Sequence, residues 1–76
     1  MKELLEFIAK SLVDSPDDVY VTESESGSSL VLELHVNEAD MGKVIGKQGR
    51  IAKSIRAVIK ACASRENKKV IVEIVQ

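Results

Sequence analysis

Two glycines stand three residues apart in the stretch Val44-Ile45-Gly46-Lys47-Gln48-Gly49-Arg50-Ile51, with a lysine and a glutamine between them. Glycine admits backbone angles closed to other residues and lets another group come close. Gly49 also falls where a following helix would open. Free N–H groups at a helix start, together with the positive end of its dipole, attract anions. Lys47 stands at the tip of this loop, and Lys43, Arg50 and Lys53 lie within about one helical turn of it. Such a set favours holding over reacting: it suits a negatively charged, extended backbone. One of Val44 and Ile45, just ahead of the first glycine, would supply an apolar floor, and the spacing leaves open which.

Other chemistries find little support. A nucleotide-binding P-loop needs four residues between its first glycine and the Gly-Lys-Ser/Thr end. Only three separate Gly42 from Gly46, and Gln48 occupies the place of the magnesium-binding hydroxyl. The dinucleotide fingerprint, Gly-x-Gly directly after a strand, is absent. His35 is the single histidine and Cys62 the single cysteine, so neither a zinc site nor an internal disulfide is expected. Cys62 reads as a small buried apolar side chain. No nucleophile accompanies His35, and no paired carboxylates mark a reaction centre, which makes an enzyme the weakest reading. Taken alone, a Gly-x-x-Gly loop also fits a plain connector between helices.

The elements around the loop follow from periodicity. Leu4, Leu5, Ile8 and Leu12 recur at helical spacing over residues 3–13, and Pro16 ends that run. Residues 19–22 are β-branched or aromatic, and residues 26–29 are a Gly-Ser turn. Leu30, Leu32, Leu34 and Val36 then alternate as one face of a strand, which predicts an antiparallel hairpin. Asn37 suits the cap of a short helix over residues 38–44. A longer helix is predicted over residues 50–65, with Ile51, Ile55, Val58, Ile59 and Cys62 as its apolar stripe. Arg50, Lys53, Arg56 and Lys60 fall on the opposite side, and Lys60 reads as merely solvated. Ala52, Ile59 and Ala63 widen the stripe sideways, enough to serve a partner as well as a core. After a polar loop, residues 70–75 read as a last strand. One layer of helices over one sheet is the economical packing for helix, strand, strand, helix, helix, strand.

The octapeptide from Val44 to Ile51 resembles the signature of the KH domain, whose GxxG loop clamps about four nucleotides of a single strand. The extra helix and strand ahead of the core unit resemble the type II arrangement. The opening Met1-Lys2-Glu3-Leu4-Leu5, residues 40–53 and the closing Lys68-Lys69-Val70 resemble the small stand-alone bacterial KH proteins of the KhpA family. The resemblance implies one α+β domain over residues 1–76, a three-stranded mixed sheet with helices packed on one face. It implies binding of single-stranded RNA at Lys43, Ile45, Gly46, Lys47, Gln48, Gly49, Arg50 and Lys53, without a cofactor or metal. The groove would lie between the two helices and the central strand, residues 30–36, with the loop 65–69. The resemblance also implies an RNA chaperone or post-transcriptional regulator that forms homodimers and pairs with a larger KhpB-like KH protein. Effects on cell shape and peptidoglycan homeostasis would follow.

The charge pattern agrees with such a ligand once it is resolved along the chain. The 76 residues carry a formal net charge of −1. Residues 1–40 hold two basic and ten acidic side chains, whereas residues 41–76 hold nine basic and two acidic. Positive charge therefore begins beside the glycine loop, and local potential matters more to a phosphate than the total. Phe7 and Tyr20 are the only aromatic residues other than His35, too few for the stacking surfaces of RRM or OB folds. No apolar run exceeds three residues, so no membrane insertion is expected, and the first ten residues lack a signal-peptide layout. Cytoplasm is the expected compartment. The alternative reading is a protein-interaction or dimerisation module with a vestigial GxxG loop.

Overall fold

The computed structural model describes residues 1–75. Helix α1 (Lys2–Leu12) carries Glu3 in its first turn and Lys10 in its last, each matched to the dipole end it meets. It buries Leu5 and Ala9 completely. A 3-10 turn, Pro16–Asp18, with proline at its first position, leads into the hairpin. Strands β1 (Tyr20–Ser26) and β2 (Ser29–His35) pair antiparallel, with Ser26 opposite Ser29. Only two residues join them, and Gly27 supplies the positive φ of 63° that such a tight turn demands.

Asn37 accepts a hydrogen bond from the Ala39 N–H at 2.9 Å, the cap expected of it. A 3-10 turn, Glu38–Asp40, runs directly into α2 (Met41–Ile45). The glycine loop then leads to α3 (Arg50–Arg65), which matches the predicted span. At its far end Asn67 turns left-handed and the Lys68 N–H returns to the Ala63 carbonyl at 2.9 Å, reversing the chain into β3 (Lys69–Val75).

Strand β3 lies parallel to β2, so the sheet order is β1-β2-β3 and the sheet is mixed. The core forms between one sheet face and the helices, from Leu5, Leu32, Leu34, Val44, Ile55 and Ile59 among others. The α+β class, element order and one-sided packing agree with expectation.

Three details differ. Strand β1 runs on to Ser26, four residues past the predicted end, because pairing with β2 overrides the weak propensity of its Glu-Ser sequence. The helix predicted over 38–44 divides into a 3-10 turn and a five-residue α-helix. The buried stripe of α3 is Ala52, Ile55, Ile59 and Ala63, rotated from the predicted one. Small alanines bring α3 close to its neighbours, while Val58 stays 46% exposed and Cys62 is only half-buried.

Candidate nucleic-acid interface

The loop between α2 and α3 owes its shape to three consecutive backbone devices. The Gly46 N–H closes α2 on the Gly42 carbonyl at 2.8 Å, with Gly46 itself at φ 76°, ψ 175°, a region open essentially to glycine alone. A Cβ there would also lie 2.5 Å from Ile51 Cγ1, so the first residues of α3 fold back over this glycine. Gln48 (φ 57°) and Gly49 (φ 72°) are then both left-handed. For Gln48 that conformation costs about 1–2 kcal/mol.

Two left-handed residues swing the chain so that α3 opens on Gly49, which has no side chain with which to cap it. The first N–H groups of a sixteen-residue helix are therefore left without a side-chain acceptor. Lys47, Gln48, Arg50 and Lys53 are exposed around that end. Arg50 Nη2 donates to Gln48 Oε1 at 3.4 Å, holding two polar side chains together at the rim.

Val44 and Ile45 differ in burial. Val44 is fully enclosed in the core, and Ile45 is half-exposed beside the loop. Lys43 takes a different position from the other basic residues. Its ammonium sits 3.0 Å from Asp14 and 3.6 Å from Asp40, so its charge is already matched.

That ion pair belongs to a brace under α2. Asp40 is buried, and its carboxylate accepts the N–H groups of Asp14 at 3.2 Å and Ser15 at 3.0 Å. Burial alone would push the Asp40 carboxyl up. The two backbone donors and the neighbouring Lys43 outweigh it and hold the group below its usual value. Lys43 is correspondingly raised, chiefly by its hydrogen bond and charge contact with Asp14. The brace ties the turn after α1 to the start of α2, and so fixes the platform from which the glycine loop projects. Sequence reasoning misses it, since Asp40 looks like one acid among the ten of residues 1–40.

A groove runs between α3 and the outer strand, lined by Arg56, Lys60, Lys68 and Lys69 over Val70 and Val72. Its far wall is β3, the edge strand that follows α3, rather than the central strand β2. Arg56 Nε donates to the Val72 carbonyl at 3.2 Å across this groove. Arg56 lies outside the expected site, and Lys60, expected to be merely solvated, lines the groove. The signal for both is their placement on the same helix side as Arg50 and Lys53. Among the described residues no three His, Cys, Asp or Glu side chains gather to hold a metal ion. Nor is any helix among these residues long and apolar enough to cross a membrane.

The chain is similar to known proteins. Residues 2–74 match the family model described as the KH domain of KhpA/KhpB. An RNA-binding protein KhpA from Clostridium perfringens is 67% identical over 75 residues, covering 99% of this chain and all of its relative. One from Listeria monocytogenes is 50% identical over the full length of both. Among solved structures, Aquifex aeolicus Era bound to GDP and aluminium fluoride superposes with a TM-score of 0.60 at 23% identity. Era in complex with MgGDPNP and a segment of 16S ribosomal RNA gives 0.61, also at 23% identity. Each match covers 96% of this chain and 28% of the Era chain, and at that identity it speaks for the fold alone.

Proposed function

The chain belongs to the KhpA/KhpB family of KH domains, a family of binding proteins rather than enzymes, and on that premise we propose that it binds single-stranded RNA at the glycine loop. The observation that carries this reading is the uncapped start of α3 behind two left-handed residues, with Lys47 exposed at the tip. Phosphate oxygens accept from N–H groups at that start, and Lys47 with Arg50 and Lys53 adds positive charge around them. Gly46 and Gly49 shape the cradle, and Gln48 offers an uncharged hydrogen-bonding group beside it. Ile45 lies under the first base. From there the strand follows the α3–β3 groove, where Arg56, Lys60, Lys68 and Lys69 extend the positive track. Lys43, shared between two carboxylates, stands at the edge of the site and contributes least.

Non-covalent holding of this kind, with few aromatic platforms, suits a cytoplasmic RNA chaperone or post-transcriptional regulator acting through one KH domain. Family membership supports the wider role, pairing with a larger KhpB-like protein in control of cell shape and peptidoglycan homeostasis.

A second reading, self-association, is favoured by a separate observation. Ile8 and Leu12 of α1 and Ile51 and Val58 of α3 line an apolar hollow, in which Leu12 is 37% exposed. Arg50 also borders this hollow, so a homodimer through it leaves Lys47 free at the loop's tip but competes with RNA for Arg50.

Titration of the full chain with a short single-stranded RNA, followed residue by residue through amide resonances, tests the site. Shifts gathered at residues 45–53 and along β3 are expected. Shifts confined to α1 and the α1-facing side of α3 would favour interaction alone.

A further inference from the structure

The helices cover one sheet face, and among the described residues no element covers the opposite face. Its side chains form registered rows across all three strands. In the middle row Thr22 pairs with Glu33, and Glu33 with Glu73 on the parallel strand. Like charges directly opposite on neighbouring strands destabilise a sheet. Neither carboxylate has an ion-pair partner among the described residues, where every salt bridge lies elsewhere.

The rows on either side of this acidic pair carry apolar and aromatic side chains beside Ser24 and His35. On one side Val31 stands beside Ile71, which is 42% exposed. On the other, Tyr20 and His35 stack with ring centroids 4.2 Å apart and planes 3° from parallel, and Tyr20 is 55% exposed. Thr22 Oγ1 donates to Glu33 Oε1 at 3.1 Å and lies 3.4 Å from His35 Nε2, fixing the carboxylate against the aromatic ledge. Two carboxylates at the centre of an apolar and aromatic surface describe the complement of a cation on an apolar stem.

We propose that this open sheet face docks a protein partner through an arginine side chain, which bridges Glu33 and Glu73 while aliphatic neighbours of that arginine cover Val31 and Ile71. Guanidinium is planar, carries several donors and stacks on aromatic rings, so the Tyr20–His35 ledge suits it better than an ammonium. A second copy of the chain is the wrong occupant. Two-fold pairing about this face would set the Glu33 and Glu73 carboxylates of one copy against the same pair of the other. RNA is also the wrong occupant, because its phosphates would meet the acidic row. The face lies across the sheet from the glycine loop's helices and meets the basic groove at Ile71 on the edge strand, so a partner held here would leave the α3 side of that groove open.

The probe is a synthetic amphipathic peptide with arginines flanked by leucines on one face, and a twin with citrulline in place of each arginine. Amide resonances of the full chain, titrated with the arginine peptide, should shift around residues 20–22, 31–35 and 71–75. Substitution E33Q/E73Q should weaken the peptide by about tenfold, the effect of removing one side of a close charge pair. Its thermal midpoint should stay level or rise, as the like-charge pair is relieved. A D17N/E25Q variant of equal net charge should bind as the parent does, which separates the face from the general acidity of the N-terminal half. The proposal fails if the arginine peptide does not bind this face, or if the citrulline twin binds equally well. It fails too if E33Q/E73Q changes nothing, or if single-stranded oligouridylate shifts this face instead.

Discussion

Gly46 and Ile51 are packed so closely that a single methyl group on the glycine would come within 2.5 Å of Ile51 Cγ1. The contact joins the end of α2 to the first turn of α3, and with it the two ends of the loop proposed to hold phosphate. Replacing Gly46 by alanine therefore meets two penalties, a backbone region costing about 1–3 kcal/mol for other residues and a steric clash. Gly49 has open space where its Cβ would go, leaving only its left-handed φ as a cost. Denaturant unfolding should rank Gly46→Ala well below Gly49→Ala in stability, with Gly49→Asn milder still. Combining Gly46→Ala with Ile51→Ala should recover part of the loss, and strict additivity would show that the contact does not matter.

The brace at Asp40 makes stability fall in acid. Its carboxyl titrates lower in the folded chain than unfolded, so its contribution is complete above the ordinary carboxylate value, about 3.9, and is lost as pH falls through the folded value. Lys43 acts in the opposite sense: its contribution is complete below about 10.4 and is lost as pH rises through its raised value. Thermal midpoints measured down from about pH 5 should drop less steeply for Asp40→Asn than for the parent chain. The variant should also start lower near neutral pH, since an amide cannot accept from both Asp14 and Ser15 N–H groups while pairing with Lys43. Parallel acid profiles would show that Asp40 is not the group responsible.

Lys60 and Arg56 test whether the α3–β3 groove carries nucleic acid. Removing one cation that neutralises a phosphate should lower the slope of log affinity against log salt by about 0.7 for a single strand. Lys60→Gln is expected to do so with fold and midpoint unchanged. Arg56→Gln should weaken binding and also free the Val72 carbonyl, so a small drop in stability accompanies it. Unchanged salt slopes in both would confine the interface to the glycine loop.

Val58 tests self-association. A glutamate in its place puts charge into the hollow shared with Ile8, Leu12 and Ile51, on a side chain that the monomer leaves nearly half exposed. Sedimentation should show Val58→Glu shifted to the monomer mass with its circular dichroism intact. A parent chain that is monomeric at all concentrations would remove the dimer reading.

The helix from Arg50 to Arg65 is legible in the sequence because both its ends carry punctuation: glycine before it and a polar loop after it. The hairpin is legible for the same reason, through Gly27 and the alternation of Leu30, Leu32 and Leu34. Strand order is another matter. Nothing in residues 69–75 says that this strand takes the outer place, so the groove between it and α3, with Arg56 on its wall, is passed over. The rotation of the α3 stripe toward Ala52 and Ala63 reflects close packing against neighbours that periodicity does not see. Asp40 and Lys43 are illegible as a brace because their partners at Asp14 and Ser15 lie more than twenty residues away, brought together only by the fold. The glycine loop itself is legible in the sequence, save for the difference in burial between Val44 and Ile45.

The central claim, that this loop holds the RNA backbone, is tested most directly by Lys47→Asp/Gln48→Asp. Both side chains are exposed, and aspartate accepts the left-handed backbone of position 48 more readily than most residues, so the fold should survive. Affinity for a single-stranded RNA should be measured beside circular dichroism and solution mass. The account predicts that RNA binding is lost while fold and mass stay as in the parent chain. Undiminished RNA affinity in the folded variant would contradict it.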